Sequence, residues 1–289
     1  MKPSIKINPT GSALGADVEG VDLSQGLDAD TVAAVIDAWH GHLVLRFRDQ
    51  RLDDADLVRF SRHFGDLDLA PITSSGEVEI PEFPEIPVVS NVKVDGKPIG
   101  SLGNYEAEWH TDMSYIDEPP KMTCLYSLEV PDAGGNTGFV NMYAAYEALD
   151  DDVKERIEGR RSKHDYSRNS AGEVRKGYEQ FADETDPRKI PGARHPLVTT
   201  HPETGRRALY LGRRRNGYIE GLELDESEAL LDALWAHATR PEFCWAQNWR
   251  VGDLVMWDNR CTMHRRDAFD DNARRVLHRT QVKGTERPS

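Results

Sequence analysis

Short strand-like segments make up most of this chain and limit the folds open to it. They are rich in β-branched and aromatic residues and are bounded by Gly, Pro, Asn or Asp. The clearest are KMTCLYSLEV, NTGFVNM, RRALYLG, GDLVMWDN and RRVLHRTQV. Helical spacing of apolar residues is confined to a few stretches such as ADTVAAVIDAWH, LDDADLVRFSRHFG and LDESEALLDALWAHATRPEF. We therefore predict a mainly β fold with flanking α-helices packed outside the β core.

The domain organisation follows from length and from the uniform composition of the chain. With 289 residues, 38% of them hydrophobic, the chain is long enough to bury a substantial core. We find no repeat, low-complexity segment or change of composition, and we predict a single domain over residues 1–289. Residues 66–104 contain scattered Gly, Pro and Ser, which predicts a long loop of the kind that forms a lid over a site.

Charge and cysteine usage exclude several classes of partner. The formal net charge of -14 argues against binding nucleic acid or an anionic membrane surface, because both need a dominant basic field. No stretch approaches the roughly 20 apolar residues of a membrane span, and no signal peptide is recognisable. The three cysteines, Cys124, Cys244 and Cys261, are far apart, which is typical of reduced thiols. We expect a cytoplasmic protein.

A metal site is indicated by NYEAEWHTDMSYIDEPP. On a strand, positions i and i+2 share a face, so His110 and Asp112 can point toward one ion. His264 in WDNRCTMH is a third candidate, and only a closed β structure could bring it to the other two. Two imidazoles and one carboxylate form the facial triad of non-haem Fe(II) sites. The alternatives are a hydrogen-bonded polar pair without a metal and a zinc site with the same ligands.

Two arginines shortly after His264 suggest recognition of an anion. Strand alternation in ARRVLHRTQV places Arg275 and Arg279 on one face. A guanidinium matches a carboxylate with two parallel hydrogen bonds and remains charged when desolvated. Alternatively, both are solvated or paired with the acidic DAFDD upstream. The segment VPDAGGNTGFVN is a Gly-Gly turn that leads into a strand, with Thr137 at its start, and by itself it indicates only a turn.

Seven motifs in this order resemble a known family. They are LVLRFRDQ, RHFGDLD, WHTDMSYIDEPP, GGNTGFVNMYAAYEAL, HPLVTTHPETGRRALYL, WDNRCTMH and RRVLHRTQVKG. The chain resembles, over nearly its whole length, the taurine dioxygenase and chlorophenoxyacetate dioxygenase (TauD/TfdA) family of Fe(II)- and 2-oxoglutarate-dependent oxygenases. The resemblance implies a double-stranded β-helix, a cupin-like jelly roll, and hydroxylation that consumes 2-oxoglutarate and O2 and yields succinate and CO2.

The resemblance also implies a role for particular residues. His110, Asp112 and His264 would bind Fe(II) and form the catalytic centre. Thr137 and Arg275 would hold the distal carboxylate of 2-oxoglutarate. Arg279 would lie close to the iron and contact either the acidic group of the substrate or the other carboxylate of the cosubstrate. The carboxylate at position 112 implies hydroxylation, because halogenating relatives leave that position open for chloride. Relatives are commonly dimers or tetramers, so we expect a homo-oligomer.

The resemblance is least informative about the substrate. Taurine enzymes carry a His after the FG motif that helps to hold the sulfonate, and here the stretch from Phe64 to Trp109 contains none. We expect a small anionic substrate instead: a sulfonate, a sulfate ester or a carboxylate such as an aryloxyalkanoate. Candidates for the pocket wall, which could equally be ordinary loop and surface residues, are Ile72, Tyr105, Glu106 and the basic run Arg213, Arg214 and Arg215.

Two other classes of function stay open. One is a non-catalytic, cupin-like sensor that binds a metal or ligand without turnover, although Thr137 and Arg275 would then have no cosubstrate to recognise. The other is a zinc-dependent hydrolase that uses bound hydroxide, with His110, Asp112 and His264 as ligands. A requirement for oxygen would separate the dioxygenase from the hydrolase.

Overall fold

A computed structural model of the chain describes residues 5–70, 78–102, 107–169 and 172–289. Among these residues no helix combines the length and the apolar character needed to cross a membrane. The three cysteines are free thiols, and Cys124 and Cys261 are buried.

The elements follow the predicted mixture of a few helices and many short strands. The helices are α1 (Ala29–His42), α2 (Asp54–Arg62), α3 (Met142–Glu147), α4 (Asp151–Ile157) and α5 (Leu224–Ala238). The strands are β1 (Lys6–Pro9), β2 (Ala16–Glu19), β3 (Val44–Phe47), β4 (Val88–Ser90), β5 (Lys93–Val94), β6 (Lys97–Pro98), β7 (Ser101–Leu102), β8 (Ala107–His110), β9 (Met122–Glu129), β10 (Thr137–Asn141), β11 (Arg161–Lys163), β12 (Arg194–Pro196), β13 (Val198–Thr200), β14 (Arg207–Leu209), β15 (Tyr218–Ile219), β16 (Cys244–Gln247), β17 (Leu254–Asp258), β18 (Thr262–Arg266) and β19 (Val276–Val282).

Two sheets form the centre of the molecule. The major sheet has the strand order β1-β2-β3-β17-β9-β19-β4-β7, and the minor sheet has the order β16-β10-β18-β8. In the major sheet β2 and β3, and also β4 and β7, are parallel neighbours, whereas its remaining pairs are antiparallel. Neighbouring strands in the order are often far apart in the sequence, which is how this fold brings distant residues together.

The inner faces of the two sheets pack against each other. The ring of Phe139 in β10 lies 5.3 Å from that of Trp257 in β17, centroid to centroid. Strand alternation explains the choice of residues, since Val255 and Trp257 face the minor sheet whereas Leu254 and Met256 face the other way. Each fully buried side chain of this size stabilises the fold by about 1.5–3 kcal/mol.

Helices α1 and α2 cover the outer face of the major sheet. Trp39 of α1 and Phe60 of α2 belong to the same buried cluster as the outward-facing residues of the sheet. Both helices begin at an aspartate, because Asp28 accepts a hydrogen bond from the Thr31 backbone N–H and Asp53 forms a reciprocal capping box. This layered arrangement confirms the predicted mainly β fold with a jelly-roll core and flanking helices.

The predicted loop over residues 66–104 is partly wrong. Within its described part, β4 pairs with β19 in the major sheet and β7 pairs with β4. The physical reason is the run Val88–Ser90, which is buried and β-branched and supplies an inner strand. The strand has only three residues and lies between prolines, so the sequence does not show the alternation by which strands are recognised.

Candidate active site

The two histidines of the predicted metal site lie on paired strands. His110 ends β8 and His264 lies in β18, and the register of these antiparallel strands places the two residues opposite each other. Their ring centroids are 4.2 Å apart. A register irregularity separates this pair from the next one, so the strand is bent at the site. Pairing within the minor sheet thus brings together two residues that are far apart in the sequence.

The side chain of Asp112 lies beside the two histidines, but its backbone does not have the predicted strand conformation. Strand β8 ends at His110, so Asp112 lies in the following turn rather than two positions along a strand. The next residue, Met113, has a φ of 47°, which turns the chain sharply at this point. The shared-face argument was therefore wrong about the backbone, although the two side chains do converge.

The three side chains form a compact donor set. Asp112 Oδ1 lies 3.8 Å from His110 Nε2 and 3.8 Å from His264 Nε2. A first-row divalent ion binds such atoms at about 2.0–2.2 Å, which places neighbouring ligand atoms roughly 3–3.5 Å apart. A small contraction of the site would therefore accommodate the ion. Two nitrogens and one carboxylate oxygen suit Fe(II) and leave further positions open.

Hydrogen bonds orient two of these side chains. His110 Nδ1 lies 2.7 Å from the carbonyl oxygen of Glu108 and must donate to it, so Nε2 of the neutral ring carries the lone pair. Thr123 Oγ1 donates to Asp112 Oδ2 at 2.8 Å. The remaining carboxylate oxygen, Oδ1, is the atom that faces both imidazoles.

The electrostatics keep the site in a form that can bind a metal. Burial is the main cause that lowers the pKa of His264 and brings that of His110 well below its usual value. Burial would raise the pKa of Asp112, but His264 and Arg279 oppose it and lower the value to about 2. At neutral pH the site therefore holds two neutral imidazoles and one carboxylate, as metal ligation requires.

Thr137 and Arg275 line the cavity that contains this site. Trp249 Nε1 donates to Thr137 Oγ1 at 3.0 Å, which leaves the threonine hydroxyl proton available to an anion. Arg275 is 1% exposed, and its Nε has no hydrogen-bond partner in the described part of the chain. Burial, followed by the charge of Arg266, lowers the pKa of Arg275 to about 9. A bound carboxylate would accept a hydrogen bond from this arginine and would offset the cost of burying its charge.

Arg279 lies next to the donor set. Its Nη1 is 3.7 Å from Asp112 Oδ1, and its buried Nε has no hydrogen-bond partner among the described residues. Arg275, which directly precedes β19, and Arg279 and Gln281 within it all line the cavity, as strand alternation predicted for this face.

The cavity has a volume of about 630 Å³ and reaches well beyond the metal-ligand candidates. Arg213 lines it and forms a β-bridge with His110. Its neighbours Arg214 and Arg215 pair with carboxylates, namely Glu228 and Asp232 for the former and Glu108 for the latter. The candidates Ile72, Tyr105 and Glu106 lie outside the described residues.

Sequence reasoning missed several residues of the cavity wall. Tyr115, Tyr166, Arg175 and Lys176 all line it. Tyr115 lies three positions after Asp112, so the turn after the metal motif was a usable signal. Arg175 lies in an irregular segment without periodicity, and no local pattern marks it.

Comparisons with known proteins identify the family. The family model described as "Taurine catabolism dioxygenase TauD, TfdA family" matches residues 6–281. The chain is 36% identical over 282 residues to the alpha-ketoglutarate-dependent 2,4-dichlorophenoxyacetate dioxygenase of Cupriavidus pinatubonensis, covering 96% of each chain. It is 34% identical over 294 residues to the (S)-phenoxypropionate/alpha-ketoglutarate-dioxygenase of Sphingobium herbicidovorans, covering 98% of this chain and 96% of that one.

A solved structure gives the same assignment. The structure of AAD-2 in complex with Mn(II) and N-oxalylglycine matches with a TM-score of 0.80 and 33% identity, covering 99% of this chain and 100% of that one. The predicted resemblance is thereby confirmed, and the chain belongs to the TauD/TfdA family of dioxygenases.

Proposed function

We propose that this protein is an Fe(II)- and 2-oxoglutarate-dependent dioxygenase that hydroxylates a small anionic organic molecule, with succinate and CO2 as co-products. The substrate classes are a sulfonate, a sulfate ester or a carboxylate such as an aryloxyalkanoate. The observation that carries the proposal is the convergence of His110, Asp112 and His264 in a cavity whose other charged lining residues, among those described, are all basic. Family membership supports the same reaction class.

The metal would be held by His110 Nε2, Asp112 Oδ1 and His264 Nε2. The bound iron, together with 2-oxoglutarate and O2, supplies the oxidising power that replaces a substrate C–H bond by C–OH. The chain keeps these three ligands in position through the Glu108 carbonyl and the Thr123 hydroxyl. The low pKa of Asp112 ensures a charged ligand at every physiological pH.

The cosubstrate would be oriented by Thr137 and Arg275. Arg275 offers a fork of donors in a desolvated position, where a carboxylate is bound most strongly. Thr137 adds one hydroxyl donor, because its acceptor side is occupied by Trp249. Arg279, beside Asp112, would contact the other carboxylate of 2-oxoglutarate or the acidic group of the substrate.

The substrate would lie between the metal and the outer wall of the cavity. We include Arg213 in that wall, and Tyr105, Glu106 and Ile72 stay candidates predicted from the sequence. If hydroxylation occurs at a carbon that carries an ether or sulfate oxygen, the product is a hemiacetal-type species that breaks down by loss of the C–O bond. The proposal also includes a cytoplasmic homo-oligomer and a single catalytic domain over residues 1–289.

The sensor and zinc hydrolase alternatives are less well supported. Neither gives a role to a buried arginine and an oriented threonine on the same side of the metal-ligand candidates. The named relatives are alpha-ketoglutarate-dependent dioxygenases.

Anaerobic titration of the apo-protein tests the proposal. We expect that Fe(II) followed by 2-oxoglutarate gives the weak visible charge-transfer band of the metal chelate. Arg275→Ala should lose the band at limiting 2-oxoglutarate, and His110→Ala should lose both the band and 2-oxoglutarate consumption in air. Arg274→Ala is the matched control, because this adjacent arginine is exposed and pairs with Glu129.

Either of two results would contradict the proposal. If the wild type binds iron but gives no band, 2-oxoglutarate is not its cosubstrate, and the sensor or the hydrolase is favoured. Consumption of 2-oxoglutarate by His110→Ala at the wild-type rate would remove His110 from the ligand set.

A further inference from the structure

Two arginines share one tyrosine ring in the wall of the cavity. The guanidinium carbon of Arg175 lies 4.0 Å from the ring centroid of Tyr115, and that of Arg213 lies 4.9 Å from the same centroid. Arg175 Nη2 also donates to the Tyr115 hydroxyl at 2.5 Å. The Tyr166 ring packs edge-on against Tyr115 and lies 5.2 Å from the Arg175 guanidinium. The side chains are therefore held in place by aromatic contacts.

Neither guanidinium has a carboxylate within ion-pair distance among the residues that the structure describes. The contrast with the next two arginines along the chain is direct, since Arg214 and Arg215 both form ion pairs. Arg213 Nη1 donates to the backbone carbonyl of Arg168, and its buried Nε has no hydrogen-bond partner in the described part of the chain. The pair thus brings two positive charges to the cavity wall without an ion pair in the described part of the chain, although Asp112 and Asp165 attract Arg213 from a longer distance.

A bound anion would offset both the repulsion between the two guanidinium groups and the cost of burying Arg213. Burial is the main cause that lowers the pKa of Arg213, and the nearby charge of Arg175 acts in the same direction, whereas Tyr115, Asp112 and Asp165 act against it. Contact with an aromatic face offsets only part of the cost of burying a cation. A carboxylate, sulfate or sulfonate between the two guanidinium groups would accept several charge-assisted hydrogen bonds and cancel the repulsion.

The arginine pair is separate from the cosubstrate end of the cavity. His110 pairs with His264 on one side and with Arg213 on the other. Thr137 lies one strand beyond β18, in the direction away from Arg213. Three strand spacings of about 4.8 Å, or roughly 14 Å, therefore lie between the backbones of Phe139 and Arg213, and Thr137 lies two residues further along β10. The metal-ligand candidates lie between the two cationic regions.

We propose that Arg175 and Arg213, held on the ring of Tyr115, bind the acidic group of the primary substrate. This inference rests on the proposed function and names the specificity residues of that site. The substrate is an organic anion with an apolar or aromatic body, because Tyr166, Tyr178 and Leu125 also line the cavity. Arg279, which already has the Asp112 carboxylate 3.7 Å from its Nη1, is then not the main anchor of the substrate.

The test measures binding, and it does not depend on turnover. The anaerobic enzyme loaded with Fe(II) and 2-oxoglutarate is titrated calorimetrically with 2,4-dichlorophenoxyacetate, with hexyl sulfate and with the neutral 2,4-dichlorophenoxyethanol. We expect at least one anion to bind the wild type at least about tenfold more tightly than the alcohol. Arg175→Met and Arg213→Met should each raise the Kd of that anion about tenfold or more, while Arg213→Lys should recover part of the loss.

Matched controls separate this inference from the proposed function. Arg194→Met removes an exposed arginine that pairs with Glu220 and should leave every Kd unchanged. The charge-transfer band should give the wild-type affinity for 2-oxoglutarate in the Arg175 and Arg213 variants, and thermal melting should verify that each is folded. If the band is absent in the wild type, the proposed function fails, and anion titration of the metal-free protein still tests the arginine pair.

Three results would overturn the inference. The first is failure of both anions to bind the wild type while 2-oxoglutarate binds. The second is unchanged anion affinity in both methionine variants. The third is loss of anion affinity in Arg279→Met alone, which would assign the acidic group of the substrate to Arg279.

Discussion

At the residue scale, one hydroxyl group connects the metal-ligand candidates to the core. Thr123 Oγ1 accepts a hydrogen bond from Asn259 Nδ2 at 2.9 Å, and Asn259 Oδ1 accepts one from Trp257 Nε1 at 2.9 Å. Because the Thr123 oxygen is already accepting, its single proton is directed to Asp112. The motif WDN therefore acts on the metal site through Thr123, although it supplies no ligand itself.

Replacing Thr123 by Val removes this proton without changing the shape of the side chain. We expect the affinity for Fe(II) or Mn(II) to fall about 10–100-fold, because Asp112 loses the group that orients it. The free energy of unfolding should fall by about 1–3 kcal/mol, since Asn259 keeps a buried amide that has lost its acceptor. Anaerobic metal titration and urea unfolding measure the two effects.

Thr123→Ser is the matched control for this prediction. It keeps the hydroxyl and should retain metal affinity near that of the wild type, despite losing one methyl group. Wild-type metal affinity in Thr123→Val would show that the hydroxyl has no influence on Asp112.

The metal-ligand candidates and the candidate anion-binding residues could be named from the sequence, whereas the residues that hold them in position could not. His110, Asp112 and His264 have side chains that few roles other than metal binding would bring together. Thr123 is an ordinary strand residue and Trp249 lies in an irregular segment after β16. Only the pairing of β9 with β17 and the hydrogen bond to Thr137 reveal their roles. Hydrogen-bond direction depends on tertiary contacts, which a local pattern does not contain.

At the scale of elements, the turn between β9 and β10 shapes the proposed cosubstrate site. Gly135 has a φ of +64°, and a Cβ placed there would lie 3.2 Å from Arg275 Cδ and Nε and 3.1 Å from Pro131 Cγ. Gly134 forms a β-bridge with Phe269, which joins the turn to the segment before β19. The GG pair in the sequence was read only as a turn, whereas the structure shows that it also makes room for Arg275.

Gly135→Ala should weaken 2-oxoglutarate binding. The new methyl group displaces Arg275, and we expect the Kd for 2-oxoglutarate to rise about tenfold, with a loss of stability of about 1–2 kcal/mol from the left-handed backbone. Gly159→Ala is the matched control, because its φ of +69° imposes the same strain while nothing lies within 4 Å of the added Cβ. The charge-transfer titration measures the Kd of both variants, and equal values for the two would refute the steric argument.

The site illustrates which elements could be predicted and which could not. Most of the long strands were recognised, because their β-branched and aromatic residues fill two buried faces. The end of β8 was not, since the backbone turns at Asp112 while the side chains still converge. Strand β4 was assigned to a loop, because three residues between prolines carry too little periodicity to be recognised.

For the whole molecule, the distribution of charge differs sharply between the surface and the cavity. The chain carries a formal net charge of -14, yet the only acidic residue among the described residues lining the cavity is Asp112. Six basic residues line the same cavity, namely Arg175, Lys176, Arg213, Arg266, Arg275 and Arg279. An acidic protein therefore presents a cationic interior that attracts anions. Net charge predicted from the sequence gave no indication of this, because it averages over both regions.

The buried histidines make the stability of the whole molecule dependent on pH, and His164 is the clearest case. It is 0% exposed, and burial is the main cause that holds its pKa well below 6.5. In the unfolded chain this histidine titrates near 6.5. Below that pH the unfolded state binds a proton and the folded state does not, so the free energy of unfolding falls. Between pH 7.5 and 5.5 this histidine alone should lower the free energy of unfolding by about 1.4 kcal/mol.

Urea unfolding of the metal-free protein and of His164→Gln at the two pH values measures this contribution. The glutamine amide can still reach Ser162 Oγ. The free energy of unfolding should fall between pH 7.5 and 5.5 by about 1.4 kcal/mol less in the variant than in the wild type. An identical pH dependence in both proteins would mean that His164 accepts its proton in the folded state.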